Sequence, residues 1–250
     1  MEEIKFKFYA SLLDRYEGYI NSSRIYNQYF GFSEDPKVSE EEFEQQQFQG
    51  LIDSINRVPM AWEDSEAADK GTAFNECVDC IIENRKSDKM QIISDKEGGI
   101  IEATYNKRTF HFPIQLCKEF AAYFKGAITQ QYCEGVLSTK YGNVMLYGYI
   151  DELMPFFVAD IKTTSKYSAF KFRNNWQHHT YLYCLNTSGI LINEFEYRVT
   201  DFKSTWSETY VLNPETDTPA LIEHCERLIE FLEHNKSLIT NKKIFALDAQ

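Results

Sequence analysis

Three short runs in the middle of the chain follow one another almost without a gap, and all three read as strands. They are residues 132–139 (YCEGVLST), 144–151 (VMLYGYID) and 156–162 (FFVADIK). Each is rich in β-branched and aromatic residues, with apolar and polar side chains interleaved. The connections are Lys140–Asn143 and a turn at Met154–Pro155. Connections this short join antiparallel neighbours, since parallel pairing needs a long crossover. This stretch therefore predicts a meander at the heart of a sheet.

The flanks read mostly as helix. Residues 4–30 carry Leu12, Leu13, Tyr16, Tyr19 and Ile20 at helical spacing. A polar loop at 31–40 separates them from a second helix over 41–57. Asp69–Lys70–Gly71–Thr72 then precedes a helical run, AFNECVDCIIENRK. Residues 89–112 alternate with period two about a Glu-Gly-Gly turn, which predicts a β-hairpin. Pro113 opens a further helix (IQLCKEFAAYFKGAI). After the centre, 168–186 reads as helix, 192–199 and 206–212 as a strand pair, and 216–235 as a closing amphipathic helix. The expected fold class is α/β (α+β): a mixed central sheet flanked by helices. With 250 residues and no linker or repeat, one domain is expected. Its parts are a mainly helical portion (1–88), the hairpin (89–112), a core (132–212) and the closing helix.

Composition narrows the function classes. The net charge of −12 argues against a protein that coats nucleic acid, which needs surplus Lys and Arg. It leaves room for an enzyme that grips DNA through one local basic groove, and for a site that concentrates carboxylates around a divalent metal. Cys77, Cys80, Cys117, Cys133, Cys184 and Cys225 are scattered. The start MEEIKFKFYA is charged and lacks the apolar core of a signal peptide, and no apolar run approaches the roughly 18 residues of a membrane span. A reduced, cytoplasmic protein with no membrane association is expected.

The chemistry-bearing residues lie in the meander. Asp151 ends one expected strand, and Asp160 stands near the end of the next, two residues before Lys162. Residues i and i+2 of a strand share a face, so Asp160 and Lys162 point the same way and Ile161 points into the opposite layer. Phosphodiester hydrolysis needs an activated water and neutralised phosphate charge. One or two carboxylates plus waters suit Mg²⁺, the metal lowers the pKa of bound water, and a lysine beside it stabilises developing negative charge. Taken alone the three residues are weak, because an exposed Asp–Lys pair is worth only ~0–1 kcal/mol and is common.

The flanks of these residues add specificity. Gly148–x–x–Asp151, then Asp160–Ile161–Lys162–Thr163, then Gln177–x–x–x–Tyr181 resembles the PD-(D/E)XK nuclease superfamily, in its RecB-like and phage exonuclease branch. Gly71–Thr72–Ala73–Phe74–Asn75 resembles that branch's first motif, and YASLLDRYEGY its N-terminal helix. The resemblance covers about 134–185 firmly and 65–85 more weakly. It implies a restriction-endonuclease-like core with N-terminal helical additions. It implies Asp151 and Asp160 as metal ligands, Ile161 as a carbonyl ligand, Lys162 as the catalytic lysine, and Gln177 and Tyr181 as support for the site and the DNA backbone. Ile150 stands where the superfamily's name has proline. Asn75 replaces the usual histidine or glutamate, either as a weak ligand itself or with Glu76 as substitute; Asp79 lies one turn on, on the face of Asn75. Glu134 is either a holder of water or metal, or a solvated strand end.

The implied activity is Mg²⁺- or Mn²⁺-dependent hydrolysis of DNA, as an exonuclease of phage or prophage recombination or DNA repair. A structure-specific endonuclease of the same fold, and a catalytically silent DNA-binding or assembly protein that kept the fold, are the alternatives. The implied partners are linear duplex DNA ends, further copies of the chain (some relatives form rings around DNA) and a single-strand annealing protein. The setting would be a bacterial or phage-infected cytoplasm.

Independently of the resemblance, Lys162, Lys166, Lys171 and Arg173 form the most basic stretch of the chain, with no acid among them. This is the pattern of a phosphate-gripping groove. Trp176 reads as core, and His178–His179 as phosphate contacts or surface residues. Cys77–x–x–Cys80 lies within one helix and has no second CxxC, so no iron–sulfur cluster is expected.

Overall fold

The computed structural model describes residues 3–246. Its centre is a six-stranded mixed sheet. The strands are β1 (Ile4–Tyr9), β5 (Ile128–Thr139), β6 (Gly142–Leu153), β7 (Phe157–Thr163), β8 (Glu194–Thr200) and β9 (Thr205–Val211). The path runs β1-β6-β7-β8-β9, with β5 on the other edge of β6. β1 pairs parallel to β6 and β7 parallel to β8, while β5–β6, β6–β7 and β8–β9 are antiparallel. β6 and β7 pair only at Glu152↔Ala159 and Leu153↔Val158, then splay apart. β1 joins β6 farther back, from Asn143 to Tyr147. The wedge between β6 and β7 is where the chemistry-bearing residues sit.

Two apolar cores lie on opposite faces. On one, α1 (Ala10–Ile20), α3 (Glu40–Asn56), α6 (Gln177–Thr187) and α7 (Pro214–His234) cover Phe8, Leu146, Val158, Phe195 and Tyr197. On the other, α4 (Glu66–Ile82), α5 (Ile114–Tyr123) and a small sheet of β2 (Gln91–Asp95), β3 (Ile100–Tyr105) and β4 (Arg108–Pro113) cover Ala159 and Ile161. A short helix, α2 (Ser22–Phe30), packs on α3. The mixed sheet flanked by helices is the fold class expected from sequence. α3 starts on a capping box: Ser39 N–H donates to Glu42 Oε2 at 2.9 Å, and Glu42 N–H to Ser39 Oγ at 3.2 Å.

Several local expectations are corrected. Residues 4–9 are a strand and not the start of a helix. Phe6 and Phe8 alternate inward while Lys5 and Lys7 turn out, and pairing with β6 outweighs the helical signal that follows. The expected hairpin is a three-stranded meander: Asn106 and Lys107 both take left-handed backbone (φ 47 and 62) and reverse the chain a second time. α4 begins at Glu66, so Gly71 and Thr72 lie inside it. The helix after Pro113 stops at Tyr123, and Ile128 already belongs to β5.

The expected helix over 168–186 exists only from Gln177. Before it, Lys171 N–H and Phe172 N–H donate to the Glu208 carboxylate at 2.8 and 3.1 Å. Trp176 N–H donates to Asp14 Oδ1. Donors bound to side chains of other elements are lost to a helical ladder.

Candidate metal-hydrolase site at the splay of β6 and β7

Asp151 reaches across the wedge, where its Oδ2 accepts from Ile161 N–H at 3.1 Å and from Asn75 Nδ2 at 3.1 Å. Gln130 Nε2 lies 3.4 Å from its other oxygen. Asp160 and Lys162 point to the face of α6 and form an ion pair at 2.7 Å. Ile161, between them, is buried in the second core. The i, i+2 reading of β7 therefore holds: the carboxylate and ammonium share one face and the intervening side chain takes the other.

Gln177 ties the pair together. Its Nε2 donates to Asp160 Oδ1, and its Oε1 accepts from Lys162 Nζ at 2.9 Å. One amide thus fixes both groups from the first turn of α6. Tyr181, one turn on, lies against Gly148; a Cβ there would fall 2.4 Å from Tyr181 Cε1. Glycine is required at 148 because the ring occupies the space. Both Gln177 and Tyr181 are buried, so they hold the site from behind. Gly71 has a related reason: its missing Cβ would lie 3.2 Å from Thr163 Oγ1, so α4 can cross β7 closely and bring Asn75 to Asp151.

The electrostatics are those of crowded carboxylates. Burial, and then the neighbouring Asp160, push the Asp151 carboxyl above its usual range, against the opposing pull of Lys162 and Ile161 N–H. Burial works against charge on Lys162 too, but Asp160 and Asp151 hold its ammonium above the usual value. Asp14 of α1 is a participant that sequence reasoning missed. Burial raises it to about 6, Trp176 N–H and Lys162 oppose that, and Asp160 adds to it. Its only sequence signal was membership of the helix YASLLDRYEGY. Asp79 and Glu152 form a second buried carboxyl pair next to Asp151, both raised by burial.

Other expected site residues fall elsewhere. Glu76 turns from Asp151 to Arg85 and Lys89, at 2.6 and 3.1 Å. Burial opposes its charge, but Arg85 and Lys89 take it down to about 2. Its carboxylate is engaged by these two cations rather than by Asp151 or Asn75. Glu134 is exposed and accepts from Tyr132 OH at 2.7 Å; its register partner is Tyr147, not Asp151. Lys171 Nζ is held within its own segment by Thr164 Oγ1 and the Lys166 carbonyl at 2.5 and 2.9 Å. Lys166 and Arg173 are exposed. Among the described residues none of these three cations bonds to Asp151, Asp160 or Lys162. His178 is buried, 3.1 Å from Tyr197 OH, and burial lowers it to about 3; it is a core residue. Trp176 stacks on His224 at 4.0 Å. All six cysteines are free and buried.

Among the described residues, no three His, Cys, Asp or Glu side chains group as a metal cage. The donor set is instead two carboxylates with an amide and main-chain oxygens, which a hard divalent cation that keeps its waters accepts. Asn75 Oδ1 is buried beside Asp151 with no hydrogen-bond partner among the described residues. An orphaned oxygen next to crowded carboxylates fits a cation.

No family model and no curated protein matches the sequence. Among solved structures, the crystal structure of SSO0001 aligns over 92% of this chain and 78% of that one, with 9% identity and a TM-score of 0.44.

Proposed function

We propose that this chain is a metal-dependent deoxyribonuclease of the PD-(D/E)XK type, with its reacting centre at Asp151, Asp160 and Lys162. The observation that carries the reading is the Gln177 amide bridging Asp160 and Lys162 in the wedge where Asp151 meets Ile161 N–H. Spacing in sequence alone does not require that convergence.

Asp151 and Asp160 would hold Mg²⁺ or Mn²⁺, with the Ile161 carbonyl and Asn75 Oδ1 as further oxygens. The bound ion supplies a water of lowered pKa and polarises a phosphoryl oxygen. The chain's own contribution is positioning. Gln177 fixes the direction of the Lys162 ammonium, and its charged state is favoured by both carboxylates. A cation so fixed stabilises charge developing on the phosphate without reorganising at the moment of reaction. Asp14 and Tyr181 close the site from the α1 and α6 side. DNA ends are the proposed substrate, with an exonuclease of recombination or repair as the specific form.

The test is cleavage of linear, circular and nicked duplex DNA with Mg²⁺ or Mn²⁺. Activity should stop with EDTA. Lys162→Ala should lower the rate by roughly 10²-fold or more while the melting curve stays cooperative. Equal cleavage by wild type and Lys162→Ala sinks the proposal. Cleavage of circular DNA would replace the exonuclease form with an endonuclease.

A further inference from the structure

The face of the main sheet that carries α4 and α5 is covered only in part. Those helices and the small sheet pack on β7, through Ala159 and Ile161. The β1–β6–β5 part presents its other face to α1, α6 and α7, through Phe8, Leu146 and Leu137. Alternation therefore turns Lys7 of β1, Tyr147 and Tyr149 of β6, and Tyr132 of β5 to the uncovered side, while Tyr9 of β1 sits half-buried at its margin, its hydroxyl donating to the Ser54 carbonyl of α3 at 2.8 Å. Tyr149 is 58% exposed and Tyr132 42% exposed, although both are large aromatics.

These side chains are ordered into a path. Tyr132 and Tyr149 face each other across the β5–β6 ladder with ring centroids 5.3 Å apart. Tyr147 lies next along β6, 6.2 Å from the Tyr9 ring. Arg57, at the C-terminal end of α3, stacks over Tyr9 at 3.6 Å and donates to Tyr147 OH at 3.0 Å. Beyond these rings opens a cavity of about 700 Å³, lined among others by Lys7, Arg57 and Lys243 and, among the described residues, by no carboxylate. None of the three cations is in an ion pair among the described residues. In a chain of net charge −12, a cavity whose described lining holds three cations outside any ion pair and no acid has the charge to attract an anion. In the other direction the same alternation runs Tyr147, Tyr149, Asp151. From Tyr147 to Asp151 is four residues, about 13 Å of strand.

We infer that this uncovered face seats a single DNA strand. Its phosphates enter the cavity of Lys7, Arg57 and Lys243, its unpaired bases stack on Tyr149 and Tyr132, and β6 leads it to Asp151. Two features select this occupant. Cations at one end and aromatic faces along the track are the two elements of single-strand binding, and only unpaired bases offer a free π-face. Glu134, an acid beside Tyr132 on this face, accepts from Tyr132 OH, so it orients that ring and, by repulsion, favours phosphates at the cationic end. The inference rests on the nuclease reading only for what happens at Asp151; binding along the track does not require it.

The experiment is fluorescence anisotropy with labelled oligo-dT and with a duplex of equal length, in EDTA so that nothing is cut. Wild type should bind oligo-dT more tightly than duplex. Tyr149→Ala should weaken oligo-dT binding by at least about five-fold, and Tyr149→Phe should restore it. Arg57→Ala combined with Lys243→Ala should make the slope of log K against log salt shallower by about 1.4, two single-strand phosphates at ~0.7 each. Unchanged melting temperatures serve as the fold control.

Oligo-dT binding that ignores Tyr149→Ala, or an unchanged salt slope in the Arg57/Lys243 variant, overturns the inference. So does a wild-type dimer in sedimentation that Tyr149→Ala dissociates without touching DNA affinity, for then a second copy covers the face. The two proposals fail separately. If tyrosine variants bind and cut like wild type while Lys162→Ala is dead, the track falls and the nuclease stands. If they lose binding while Lys162 proves irrelevant to cleavage, the nuclease falls and the track stands.

Discussion

At residue scale, the site depends on a hydrogen atom at position 148. Gly148 gives up its side-chain space to Tyr181, and a Cβ there would meet the ring at 2.4 Å and its hydroxyl oxygen at 2.9 Å. Tyr181 is buried in the larger core, so its ring has no free volume to swing into. Overpacking of this kind costs about 1–3 kcal/mol. Gly148→Ala should lower unfolding free energy in urea by about that much, and should slow cleavage by disturbing the turn of α6 that begins at Gln177. Gly148→Ala with Tyr181→Leu should recover part of the loss, because the clash is removed. Strictly additive losses in the two variants would show that the ring and the glycine are independent. Residues at this scale were legible where spacing is local: i, i+2 on β7 and i, i+4 on α6 each put two functional groups on one face. Asp14 was not legible. It reaches Trp176 N–H from an element distant in sequence, and nothing in local pattern reports a long-range contact.

At the scale of elements, the sequence named most of the helices and strands and misjudged those whose form depends on a neighbour. β1 forms because β6 offers a parallel partner, and the helical pattern after it masked the alternation of Phe6 and Phe8. The segment 164–176 has helical composition but spends its backbone donors elsewhere. Glu208 of β9 takes two of them, from Lys171 and Phe172, and Phe170 sits in the left-handed region at φ 61. The basic residues expected to line a phosphate groove lie on this segment, so its shape decides where they point. Glu208→Ala would leave two N–H groups without their acceptor, at about 1–3 kcal/mol if they stay shielded from water. The expected result is faster proteolytic nicking between 164 and 176 with global melting little changed, since β9 is an edge strand. Nicking at the wild-type rate would mean that the segment is held by something other than Glu208.

At the scale of the whole molecule, crowded carboxylates beside the site should set the pH dependence of folding. Glu152 is fully buried against Asp79, and among the described residues no cation, amide or backbone N–H donates to either of its oxygens. Burial, and then the charges of Asp79 and Asp151, push it up to about 10. The folded state therefore binds this proton far more tightly than the unfolded chain, where a glutamate titrates near 4.3. Between those values the native state holds more protons than the unfolded one, so the slope of unfolding free energy against pH is negative. Stability from this pair is present below about pH 4 and is lost progressively as pH rises toward 10, the reverse of an ion-paired carboxylate such as Glu76. Glu152→Gln keeps the shape and a donor toward Asp79 but removes the titration. Its melting temperature should fall less than that of wild type between pH 6 and pH 9. At pH 9 it should melt higher, by roughly 2–4 °C per kcal/mol recovered. Parallel melting curves across that range would mean that the Glu152 carboxyl sheds its proton into solvent without cost, and that the buried pair is hydrated in solution.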